Sequence, residues 1–118
     1  MSLDIIEIRA YNYFEFNRAV KQIEEKDLVN ITILLPQLKP IEITPYRLSR
    51  LRFTSVYEAE KRIFQKYQNN IYFNFRRMKN DKLLFVLNDE IKLPNIIYVH
   101  QLQNLYYDLT GDVLKLPE

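Results

Sequence analysis

The chain has 118 residues, 47% hydrophobic, 14% aromatic and 27% charged, which is too apolar for intrinsic disorder and too interrupted by charge for a membrane span. It has no cysteine, one histidine (His100) and one glycine (Gly111). Disulfides, thiolate metal sites, two-histidine metal motifs and glycine-rich phosphate cradles are therefore excluded.

The length suits one α+β domain spanning residues 1–118. In chain order, Ile6, Ile8 and Ala10 alternate with Glu7 and Arg9, predicting a strand over Leu3–Tyr11. Asn12 and Glu15 have the spacing of a capping box, and Phe16, Ala19, Val20 and Ile23 then recur at helical spacing, which predicts a first helix. Glu24, Glu25 and Asp27 read as its solvated end. Leu28–Leu35 is short and apolar and stops at Pro36, so it reads as a buried strand. Ile41-Glu42-Ile43 predicts a minor edge strand.

Thr44 followed by Pro45 is the start of a short helix, with Tyr46, Leu48 and Leu51 on one side. Ser55 and Glu58 form a second capping-box pattern, and Val56, Ala59, Ile63, Phe64 and Tyr67 make a helical stripe running to Gln68. Ile71–Met78 and Leu83–Leu87 read as a hairpin. A two-residue Asn80-Asp81 turn would pair Met78 with Leu83, Arg76 with Phe85 and Asn74 with Leu87. After a polar connection at Asn88–Asn95, Val99–Leu109 reads as a helix with Gly111 just past its end. The expected architecture is a mainly antiparallel sheet with about three helices, for which a ferredoxin-like outline is one form.

Charge is distributed unevenly. Tyr46–Lys82 carries ten basic and three acidic residues, a balance of +7, whereas residues 1–45 and 83–118 carry −2 and −3. A basic segment interleaved with Tyr46, Phe53, Tyr57, Tyr67 and Tyr72 has the composition of a nucleic-acid surface, with cations for phosphate and planar rings for bases. The candidate contacts are Arg47, Arg50, Arg62, Lys66, Arg76 and Arg77 for phosphate and Tyr72 for stacking. On the predicted helix, Arg62 and Lys66 share a face; in the hairpin, Tyr72, Asn74 and Arg76 do.

The expected function is a small, non-enzymatic nucleic-acid-binding or regulatory protein whose partner is single-stranded or structured nucleic acid. The alternative is a protein-interaction module, such as an inhibitor or accessory factor from a virus or mobile element; a composition rich in Ile, Asn, Lys, Tyr and Phe points to an AT-rich genome, such as that of a mobile element or a low-GC microbe. Large apolar residues on both faces of the hairpin suggest a homodimer. Glu90-Ile91-Lys92, with Asp81 or Asp108, is a remote metal-dependent nuclease alternative. His100 reads as a surface or helix-start residue, and Asp108 and Asp112 as an acidic helix end. No catalytic residue, metal site, cofactor or small-molecule ligand is assigned. Without a basic cap or long apolar run at the start, the expected location is intracellular, in the cytoplasm, without a membrane partner.

Overall fold

A computed structural model describes residues 8–58 and 61–117. Among the described residues the fold is α+β with two antiparallel sheets, a two-stranded one and a five-stranded one. The described residues divide into two compact units, 8–42 with 98–114, and 43–58 and 61–97 with 115–117. Among the described residues, no helix is long and apolar enough to cross a membrane.

In the first unit, β1 (Tyr13–Phe16) and β2 (Ala19–Gln22) form a hairpin where a helix was expected. Asn17 and Arg18 connect them with both φ values positive, 51° and 65°, the signature of the type I′ turn that matches strand twist. The side chain of Asn12 does not cap a helix. Its Oδ1 accepts from the Arg9 amide at 2.8 Å, and its Nδ2 donates to Asn104 Oδ1. Of the expected Leu3–Tyr11 strand, residues 3–7 lie outside the described residues and Ile8–Tyr11 is not a strand.

The expected strand at Leu28–Leu35 is also helical. Glu24 N–H donates to Asp27 Oδ2 at 2.9 Å, so this acidic cluster starts α1 (Glu25–Val29) instead of ending a helix; α2 (Ile31–Leu34) and a 3₁₀ turn (Leu35–Gln37) follow. Phe14, Ile23, Ile31 and Leu38 form the core of this unit. Glu42 makes an isolated bridge to Tyr98, the reduced form of the predicted edge strand.

α4 (Val99–Thr110) meets the expectation, including its left-handed Gly111 end. It packs on β1, and Gln103 fastens it there: Oε1 accepts from the Tyr13 amide, while Nε2 donates to the carbonyls of Tyr11 and Leu114, all at 2.9 Å. His100 is at the helix start but not on the surface. It is fully buried, with its ring 4.8 Å from Phe14 and 6.0 Å from Tyr98.

The second unit begins with α3 (Pro45–Arg50), where Thr44 Oγ1 accepts from the Arg47 amide as its sequence predicts. The expected helix to Gln68 is instead β3 (Thr54–Glu58) and β4 (Lys61–Gln68). β5 (Ile71–Arg77), β6 (Leu83–Leu87) and β7 (Ile91–Lys92) complete the sheet in the order β3-β4-β5-β6-β7. Every neighbour in this sheet is also a neighbour in sequence, so the outline is a meander and not ferredoxin-like. Ile63 and Phe64 are consecutive and both buried, because the centre of the sheet is covered on both faces. That double burial makes β4 resemble a helical stripe in sequence.

The β5–β6 hairpin exists, but its register differs by one residue from expectation. The amide of Met78 donates to the Lys82 carbonyl, which leaves a three-residue loop, Lys79–Asp81, closed by Asp81 at φ 63°. The pairs become Arg77 with Leu83, Phe75 with Phe85 and Asn74 with Val86. One slipped residue exchanges the faces. Phe64, Phe73, Phe75 and Phe85 now share one side, where Phe53 meets Phe75 edge-on at 5.8 Å.

Candidate functional site

The seven basic and aromatic residues singled out in sequence do not form one surface. On α3, Arg47 is partly buried and Arg50 exposed. Lys66 does not share a helix face with Arg62; it is a β4 residue whose Nζ approaches the Leu51 carbonyl at 3.5 Å. Burial, with the neighbouring charge of Arg52 second, pushes its ammonium below the ordinary lysine pKa.

Tyr72 and Arg76 are on the opposite sheet face from Arg62 and Arg77, as the alternation of β4 and β5 requires. Tyr72 meets Tyr67 across the strands with ring centroids 4.4 Å apart. Arg76 is held by Asp89 at 3.3 Å, and Asp89 also accepts from Asn74 Nδ2 at 2.9 Å.

Arg62 and Arg77 do come together. Phe64 pairs with Phe75 and Ile63 with Arg76, so continuing the β4–β5 register brings Arg62 level with Arg77 on the phenylalanine face. Tyr57 pairs with Arg62 on β3, and Leu83 pairs with Arg77 on β6, which makes a four-strand row at one end of the sheet. Arg62 is ordered by two contacts: Nε donates to Ser55 Oγ at 2.9 Å, and the guanidinium carbon is 4.8 Å from the centre of the Phe64 ring.

A groove of about 1000 Å³ opens at this end of the sheet. Its cations are Lys61, Arg62, Arg77, Lys79 and Lys82, and Asp81 is its carboxylate among the described residues. Arg77 is paired with Asp81 at 3.2 Å; the other four make no ion pair with a described carboxylate. Its apolar lining is Met78, Leu83, Leu84, Pro94 and Ile97, together with Tyr57, which is 75% exposed. Lys61, Lys79 and Lys82 belong to the basic segment and Tyr57 to its interleaved aromatics, but none was among the seven candidate contacts. The hairpin tip was legible, but only the pairing of β4, expected as helix, with β5 places Arg77 beside Arg62.

Cations clustered beside apolar side chains are the residue types that can meet a polyanion carrying flat or apolar groups. Among the described residues no three His, Asp or Glu side chains come together to hold a metal ion. Glu90 belongs to the β6–β7 turn, and of its suggested partners Asp81 is paired with Arg77 and Asp108 with Arg9. Comparison with known families, curated proteins and solved structures finds no match to this chain.

Proposed function

We propose that this protein binds single-stranded nucleic acid through the groove at the end of its five-stranded sheet. The observation that carries the reading is the concentration of five cations beside apolar side chains against one described carboxylate, with the Tyr57 ring exposed. Lys61, Arg62, Lys79 and Lys82 neutralise phosphates, and Tyr57 offers a face for a base. A single strand is favoured over duplex because its bases are free to rest on Met78, Leu83 and Ile97, whereas a duplex keeps its bases stacked inside.

The test is a titration of labelled single-stranded and duplex oligonucleotides at low and moderate salt, with wild-type protein and with Lys79→Glu/Lys82→Glu. Single-strand binding that weakens with salt and with the double substitution is expected. Absence of binding at low ionic strength overturns the proposal.

A second reading is an acidic, amphipathic protein segment, favoured by the aliphatic character of the apolar lining. It predicts that an acidic peptide with spaced leucines occupies the groove and that an oligonucleotide of equal charge does not compete.

A further inference from the structure

Among the described residues, the five-stranded sheet ends on one side in β3, and the hydrogen-bond parity of the sheet determines which of its peptide groups point away. Asn88 N–H donates to the Tyr72 carbonyl, so the peptide groups of Tyr72 face β6. Alternation along an antiparallel strand then turns Phe73 and Phe75 toward β4, where they meet Lys66 and Phe64. Ile63 and Gln65 consequently face β3, and their partners Val56 and Thr54 face β4. Ser55 and Tyr57 are left with their amides and carbonyls directed outward.

This edge lacks the usual protections. From Thr54 to Tyr57 it contains no proline, lysine or arginine, and its pairing with β4 runs without a bulge. Thr54, Ser55, Val56 and Tyr57 are all exposed. The other edge is different, since β7 has two residues and Pro94 follows closely.

We infer that β3 pairs antiparallel with β3 of a second copy of this chain, about a two-fold axis at Val56. The outward groups are symmetric about that residue: Ser55 of each copy meets Tyr57 of the other, and the two narrow pairs contain four backbone hydrogen bonds. Val56 meets its own counterpart in the wide pair between them, where side chains approach most closely, and its 36% exposure leaves surface to bury there. The paired residues Ser55, Val56 and Tyr57 are uncharged, so self-association juxtaposes no like charges among them. The two sheets join into one continuous sheet of ten strands.

Sedimentation equilibrium of the isolated protein across the micromolar range should show a monomer–dimer transition. Ser55→Pro removes an outward amide while leaving the β3–β4 hydrogen bonds intact, and Val56→Lys places like charges on the axis; each should give a monomer. Circular dichroism and a thermal melt establish that both variants are folded. A wild-type protein that remains monomeric overturns the inference, including the case in which the edge receives a strand from a different protein. So does a dimer that persists in folded Ser55→Pro and Val56→Lys. No nucleic acid is present in the measurement, so the result is independent of what occupies the groove.

Discussion

Asp81→Asn is expected to strengthen nucleic-acid binding and steepen its salt dependence. Asp81 is at the tip of the β5–β6 hairpin, and its carboxylate holds Arg77 at 3.2 Å in the lining of the groove. With Arg77 neutralised there, four cations remain for phosphate. For a single strand the logarithmic salt slope is about −0.7 per phosphate contact, so four contacts give about −2.8 and releasing Arg77 as a fifth gives about −3.5.

Between about 50 and about 200 mM salt, affinity should then fall about 50-fold for the wild type and about 130-fold for the variant. The fold should be little affected. Asparagine tolerates the left-handed conformation at φ 63°, and the exposed pair it removes contributes less than about 1 kcal/mol. Fluorescence anisotropy over a salt series measures the slope directly. If Asp81→Asn binds no tighter than wild type and keeps its slope, phosphate is not meeting this groove and the reasoning fails.

Other outcomes test other parts of the molecule. Lys66→Met should leave the salt slope unchanged, since Lys66 is turned to the Leu51 carbonyl, and should raise or preserve the melting temperature near neutral pH, where its charge is held against desolvation. Phe75→Ala, at a fully buried position between Phe53 and Phe85, should cost about 3–5 kcal/mol in urea unfolding. The Arg9 guanidinium, hydrogen-bonded to Asp108, holds that carboxyl below its ordinary range. A depressed carboxylate stabilises above its unfolded pKa of about 3.9 and loses the contribution as pH falls through the folded value, so Asp108→Asn should flatten stability below about pH 4 by a small amount, as befits an exposed pair. Arg18→Gly should stabilise by about 0.5 kcal/mol, because relief of a left-handed arginine, about 1–2 kcal/mol, exceeds the added chain entropy of glycine, about 0.5–1 kcal/mol. A melting temperature that falls would contradict it.

Features set by a few adjacent residues were legible in the sequence. Thr44-Pro45 starts a helix because its chemistry is local, and Gly111 ends α4 for the same reason. The α+β class and the β5–β6 hairpin were also readable. The errors came from patterns compatible with two periods. Val56, Ile63, Phe64 and Tyr67 fit a helical stripe, but they also fit two strands with cover on both faces, and long-range pairing selected the strands. Near the start, Asn17 and Arg18 adopt left-handed turns without glycine, so the hairpin carried no glycine signal.

The site was legible as a charge excess and not as a place. Its assembly depends on the pairing of β4 with β5, which the helical reading of β4 hid. Arg76 and Arg77 are adjacent in sequence, yet one faces Asp89 and the other the groove.

Tyr57 belongs to two features at once: its side chain lines the groove, and its peptide groups point out from the sheet edge. Ligand and second copy would therefore meet at one residue. Such a meeting is subject to thermodynamic reciprocity, so any factor by which a strand in the groove changes self-association is the factor by which self-association changes affinity for the strand. The end of β3 is thus where occupancy and assembly can be read from one another.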